Sequence, residues 1–257
     1  MQAPDIAQLT RLIDELRGGP ELREGRAAFR RERDLARFLD EHEPGARRAV
    51  SWHDRFTARA AELAVTAGLS AVFFGGAGFP GPDGAPHRAA ALASPAARFF
   101  YTSPSSVVAA FRGRALAGDR QAAAIHASSL KPRHMVTAAA GSGFTLNGPA
   151  QVQLGYVTWA LDEHEIRLTA VRYKEVLHRG SQLVMTSAEA APAIAKAVGS
   201  QMYAHPVSDL AAWVGQAGLT VGEVIPDVRT WGRNWEGAQF ERLGPGGRVS
   251  AVIAVVP

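Results

Sequence analysis

A chain of 257 residues with 47% apolar content is long enough for one large α/β domain with a full core, and its composition is too mixed for a disordered or fibrous protein. The net charge of +4 does not mark a nucleic-acid binder, because the arginines between Arg23 and Arg37 are interleaved with Glu24, Glu32 and Asp34 at helical spacing, the pattern of a solvated helix face. With no cysteine there is no disulfide, thiol nucleophile or thiolate metal site.

The first quarter reads as helical. Apolar residues recur at Ile6, Leu9, Ile13 and Leu16, then at Phe29, Leu35, Phe38 and Leu39, then at Trp52, Phe56, Ala60 and Leu63, with breaks at Gly18-Gly19 and Pro44-Gly45. Residues 1–67 are therefore expected to form a helical extension that acts as a lid on a second unit, 68–257. Asp5, Asp14 and Glu15 within the first apolar pattern are unlike a signal peptide, and no apolar run reaches membrane-spanning length. A cytoplasmic protein with neither a membrane nor a nucleic-acid partner is the expectation.

After Gly68 short apolar runs alternate with helical stretches, the rhythm of a sheet with crossover helices. Strands are predicted over 71–74, 98–102, 122–126, 151–157, 182–186, 220–225 and 248–256. Helices are predicted over 85–93, 105–117, 132–139, 163–178, 188–201 and 208–216. Segment 226–247 has no helical period, so the last two strands are expected to pair antiparallel. The fold class is α/β, a Rossmann-like, seven-stranded, mostly parallel sheet with one reversed edge strand and an N-terminal helical extension.

An open sheet of this kind binds ligands beyond the carboxyl ends of its strands. The run Ala71 to Pro80 has the strand and glycine turn of a nucleotide-cofactor site without its acidic residue. Gly76, Gly78, Ser103 and Ser128 are the candidate cofactor contacts, and Trp52, Phe79, Thr158 and Trp159 the candidate substrate contacts. This set is richer in aromatic rings and hydroxyls than in charge, which suits an apolar, polycyclic or polyene small molecule. Phe73, Phe74, Phe99 and Phe100 read as core strand residues.

His53, His87 and Asp162 are the candidate catalytic groups. Histidine titrates near neutrality and needs a carboxylate to fix its tautomer. Neighbours on a helix do not face one another, so Asp162 rather than Asp54 is the expected partner of His53. Asp162 also opens a helix, where a cap is the simpler role. His87 follows the glycine turn, at the mouth of the cleft. His126 and His134 lack metal-ligand spacing, and no metal is expected.

Several strings, in order and spacing, resemble an actinobacterial family of S-adenosylmethionine (SAM) methyltransferase-like proteins long catalogued as a domain of unknown function. Ile13-Asp14-Glu15-Leu16-Arg17-Gly18-Gly19 is similar to the family's Tyr-Asp-Tyr-Leu-Leu-Gly-Gly, and Phe73 to Pro80 to its Leu-Asp-Ile-Gly-Thr-Gly-Leu-Pro. Arg47-Arg48-Ala49 to Phe56, Arg98 to Val107, Gly180-Ser181-Gln182-Leu183-Val184 and the late Trp231 continue the match almost end to end. The resemblance implies a class I methyltransferase fold.

It also isolates what differs. Phe74, Ser103 and Ser128 stand where the family pattern has three aspartates, and Trp159 and Ser187 replace histidines after the fourth and fifth strands. His53 and Asp54 replace an Asn-Arg pair. A charge-assisted hydrogen bond contributes roughly 1.5–3 kcal/mol against about 1 for a neutral one. Three such losses weaken SAM by on the order of a thousandfold. The leading expectation is a protein of natural-product biosynthesis that requires no cofactor, binds SAM weakly at most, and acts on an apolar intermediate by cyclisation or dehydration. A SAM-dependent O- or N-methyltransferase using Ser103, and a noncatalytic partner of an active homologue, are the alternatives, with a homo-oligomer also open.

Overall fold

The computed structural model describes residues 12–13, 30–75, 85–199, 201–231 and 247–257. Helices α1 (Arg30–His42) and α2 (Pro44–Thr66) lead into β1 (Ala71–Phe74), α3 (His87–Ala93), β2 (Arg98–Ser103), α4 (Ser106–Ala115) and β3 (Ala122–His126). There follow α5 (Pro132–Gly141), β4 (Ala150–Gly155), a 3₁₀ turn (Thr158–Ala160), α6 (Glu163–Val176), β5 (Gln182–Ala188) and α7 (Ala191–Val198). The chain ends with α8 (Val207–Gln216), β6 (Thr220–Ile225), α9 (Val228–Trp231) and β7 (Val249–Val255). The strands form one sheet in the order β3-β2-β1-β4-β5-β7-β6, parallel except for β7. Strand order reverses between β1 and β4, which opens a crevice beyond their carboxyl ends.

The central strands are covered on both faces. All four residues of β1 and all six of β4 are buried, as expected of short apolar strands in a parallel sheet. Phe73 stacks on Phe100 on one face, at 5.0 Å between ring centroids, and Phe74 on Tyr101 on the other, at 4.8 Å. One core cluster lies beneath α5, α6 and α8, a second beneath α1, α2 and α7, and a third between β1, β2, α2 and α3.

The reversed strand is β7, and it lies inside the sheet between β5 and β6 rather than at the edge. Burial explains the order. Val249, Ala251, Val252 and Ala254 of β7 are buried, whereas five of the six residues of β6 are exposed, so the apolar strand takes the covered position.

Helix α2 packs along β4. Pro44 sits in its first turn, where a missing N–H is harmless. Val50, His53, Thr57, Ala60 and Ala64, spaced by three and four residues, are buried against the sheet. The helix runs antiparallel to β4: Ala60 meets Gln151, Thr57 meets Gln153, and Val50 meets Tyr156. Its N-terminal half therefore projects past the end of β4.

Strand β4 also stops earlier than the 151–157 expected from sequence. Gly155 takes φ of +47°, a left-handed conformation that glycine adopts without steric cost, and the pairing with β5 shifts there. The chain then turns through the 3₁₀ segment, which aims Tyr156 and Trp159 at α2 instead of along a strand.

Candidate functional site

At the ends of β1 to β3 the crevice is walled by backbone and hydroxyl groups. The Phe74 side chain is fully buried on Tyr101 and carries no polar atom. Gly75 N–H donates to Gln153 O (2.7 Å), and its carbonyl accepts from Ser129 Oγ (3.1 Å). A Cβ at Gly75 would lie 2.7 Å from Ser129 Cβ, so only glycine lets the two loops close together. Tyr173 O–H, driven far above the usual tyrosine range by complete burial, stays protonated and donates to Ser129 O.

The expected cofactor contacts Ser103 and Ser128 are indeed at this edge. Ser103 Oγ accepts from Ser105 N–H (3.1 Å), Ser105 Oγ caps α4 through Val108 N–H (3.4 Å), and Ser128 Oγ accepts from Leu130 N–H (3.2 Å). Each hydroxyl thus spends a lone pair on a local turn, and these turns leave its proton unused. Arg112, fully buried, braces the same edge by donating to Thr102 O (2.7 Å). Gly76, Gly78 and Phe79 lie outside the described residues.

Beyond β4 a second group of side chains meets α2. His53 is fully buried, its ring 3.9 Å from that of Tyr156 and edge-on to Trp159 at 6.2 Å. Tyr156 O–H donates to Asp54 Oδ1 (2.8 Å), and the same oxygen stands 3.4 Å from His53 Nδ1. The carboxylate beside His53 is therefore its sequence neighbour. Adjacent helical residues diverge by about 100°, but Tyr156 holds the Asp54 side chain where His53 Nδ1 also reaches it. The signal that could have revealed Tyr156 was Gly155, a turn former inside an apparent strand.

Thr158 and Trp159 are fully buried in this region, and neither Thr158 Oγ1 nor Trp159 Nε1 has a hydrogen-bond partner among the described residues. Trp52 is 3% exposed within the same apolar cluster.

The other two candidate catalytic groups are engaged elsewhere. Asp162 is exposed and forms a capping box at the start of α6: its Oδ1 accepts from Glu165 N–H (2.8 Å), and the Asp162 N–H donates to Glu165 Oε2 (3.0 Å). His87 is buried away from the crevice, with Nε2 2.8 Å from Asp119 Oδ2 and Nδ1 2.9 Å from Tyr101 O–H. Burial holds the His87 imidazole below its ordinary pKa, although the Asp119 hydrogen bond pulls the other way. Among the described residues no group of His, Asp and Glu could hold a metal ion, and no helix is long and apolar enough to cross a membrane.

The sequence model of a family described as S-adenosyl methyltransferase matches residues 11–209. A protein from Thermobifida fusca assigned as a methyltransferase superposes with a TM-score of 0.78 at 22% identity, over 96% of this chain and 94% of its own. A DUF574 family protein from Streptomyces avermitilis does so with a TM-score of 0.73 at 20% identity, over 97% of each chain. An O-methyltransferase from neocarzinostatin biosynthesis, in complex with S-adenosyl-L-homocysteine and 1,4-dihydroxy-2-naphthoic acid, gives 0.52 at 16% identity, over 86% of this chain and 61% of its own. At these identities the solved structures establish the fold. No curated protein matches the chain. The family match overturns the expectation that no cofactor is required: it points to SAM despite the three missing carboxylates.

Proposed function

The chain belongs to the S-adenosyl methyltransferase family, and from that premise we propose that it transfers a methyl group from SAM to a hydroxyl of an apolar, ring-containing intermediate of bacterial natural-product biosynthesis. The described residues fit an adenosyl group through donors instead of acceptors. Ser103 and Ser105 would hold the ribose oxygens and Ser128 the adenine edge, each through a hydroxyl proton that no local turn uses. Bound SAM supplies an electrophilic methyl group on a sulfonium.

The proposal is carried by the cluster of His53, Asp54 and Tyr156 at the end of β4. Asp54, held by the Tyr156 hydroxyl, favours a proton on His53 Nδ1, which leaves the lone pair on Nε2. His53 then acts as the base that takes the proton from the acceptor hydroxyl as its oxygen becomes a nucleophile, and Asp54 stabilises the imidazolium formed. The Tyr156 and Trp159 rings pack edge to face at 4.8 Å, and in this reading they would give the acceptor aromatic walls and exclude water from the nucleophile. Support for a cyclic, hydroxylated acceptor also comes from the naphthoic acid bound by the neocarzinostatin-pathway enzyme.

Calorimetry with SAM and S-adenosylhomocysteine tests the cofactor, and release of S-adenosylhomocysteine in the presence of hydroxylated aromatic compounds tests the transfer. His53→Ala is expected to keep SAM affinity within about twofold and to lower turnover by roughly 100-fold or more, the usual range for a general base. A wild-type protein that takes up neither cofactor form would refute the proposal. Unchanged turnover in the variant would remove His53 from the step.

A further inference from the structure

Beside Phe74 stands Gln153. The two are paired in register across β1 and β4, so their side chains leave the same face of the sheet, toward α2. On that face three glutamines form a chain: Gln151 Nε2 donates to Gln182 Oε1 (2.8 Å), and Gln153 Nε2 donates to Gln151 Oε1 (2.6 Å). The amide orientations are fixed by α2, because backbone carbonyls only accept. Gln151 Nε2 also meets Ala60 O (3.3 Å), and Gln153 Nε2 meets Thr57 O (3.0 Å), which rules out the flipped amides.

The chain ends on an oxygen. Gln153 is 1% exposed, yet its Oε1 has no hydrogen-bond partner among the described residues. The amide nitrogen is committed to Gln151, earlier on the strand, and to Thr57 O, which leaves the oxygen on the side of the amide away from Gln151. Donation along the chain polarises this last carbonyl, and a buried acceptor without a donor is uncommon enough to need an explanation.

SAM brings a donor that no side chain at the end of β1 satisfies: its α-ammonium group needs an acceptor, and the Phe74 side chain has none. We propose that Gln153 Oε1 accepts a hydrogen bond from the α-ammonium of bound SAM, one strand away from the position where a first-strand carboxylate would stand. The proposal rests on the SAM-dependent reading above. It makes cofactor capture in this chain dependent on an oriented amide chain and not on a negative charge.

Calorimetry with SAM and with 5′-methylthioadenosine, which keeps the adenosyl sulfur and lacks the ammonium, separates the two ideas. Gln153→Met is expected to weaken SAM by about tenfold, the effect of losing one charge-assisted hydrogen bond, while 5′-methylthioadenosine stays within about twofold. Gln153→Glu, with a carboxylate oxygen in the same place, is expected to strengthen SAM relative to 5′-methylthioadenosine. In the wild-type protein the Gln153 side-chain amide resonances are expected to shift with SAM and to stay put with 5′-methylthioadenosine, a readout that survives if either variant fails to fold. SAM binding with an unchanged ratio of affinities in Gln153→Met, or with an unmoved Gln153 amide, overturns this proposal alone. A wild-type protein that binds no SAM overturns it together with the function on which it rests.

Discussion

Gly75 illustrates how little room single residues leave at this edge. Adding one methyl group would push against Ser129 Cβ at 2.7 Å and Gln153 O at 3.1 Å, and neither the β3 loop nor the β4 backbone is a flexible side chain that can swing away. Overpacking of this kind costs about 1–3 kcal/mol. Gly75→Ala is therefore expected to lower the thermal midpoint by roughly 2–10 °C for a domain of this size and to weaken SAM, since the hydroxyls of Ser103 and Ser128 are held by the same edge. A variant with wild-type midpoint and affinity would show that the edge yields freely. Residues like these were only partly legible. Ser103 ends a predictable strand and Ser128 follows one, so both can be placed from sequence. Asp54 is visible in the sequence, but helical adjacency points away from a pairing with His53, and Tyr156 falls inside an overlong predicted strand. What joins them is a tertiary hydrogen bond between positions 102 residues apart, which no local pattern carries.

At the scale of elements, the apolar pattern located all seven strands to within two residues at either end, because the strands are short apolar runs set off by turn-forming residues, buried almost throughout in the parallel strands β1, β2, β4 and β5. Strand order past β5 was not legible, since it depends on which of two apolar strands is covered. Nor was the docking of α2. Its first turn is fixed by close backbone contact between Gly45 and Gly247, and its middle by Phe56, whose ring meets Trp231 at 5.0 Å. Gly247 has φ of +67°, and a Cβ there would collide with the Gly45 carbonyl and stand 2.8 Å from Ala49 N. Gly247→Ala is accordingly expected to loosen the N-terminal half of α2, the part that carries His53 and Asp54. Amide hydrogen exchange should then accelerate at least tenfold around Val50 to Asp54 and remain unchanged in β4, which reports local opening. Protection unchanged along α2 would mean that the helix is held by other contacts. Turnover should fall with the protection even though the substituted residue is remote from His53.

The stability of the whole molecule is tied to pH through histidines that fold in the neutral form. His87 is buried between Tyr101 and Asp119, and His205 donates from Nε2 to Leu161 O (2.8 Å) under the 3₁₀ segment; burial lowers the pKa of both, against opposing hydrogen bonds. In the unfolded chain both titrate at the ordinary value of about 6.5. As the pH falls below that value the unfolded state takes up protons that the folded state refuses, so stability present above about pH 6.5 is lost on acidification until the lowered folded-state values are reached. Each histidine contributes a slope of up to about 1.4 kcal/mol per pH unit within that window. Asp119 extends the loss to lower pH. Burial alone would raise its pKa, but hydrogen bonds from His87 and from the Gln121 and Ala122 N–H groups hold it below the ordinary carboxylate value. Denaturant melts between pH 8 and pH 5 should thus give a falling stability, and His205→Gln should flatten part of the slope without disturbing Asp119. His87→Gln should flatten another part while lowering stability throughout, because it breaks a buried link between β2 and the turn before β3. An unaltered slope in the double variant would place the acid sensitivity in other groups.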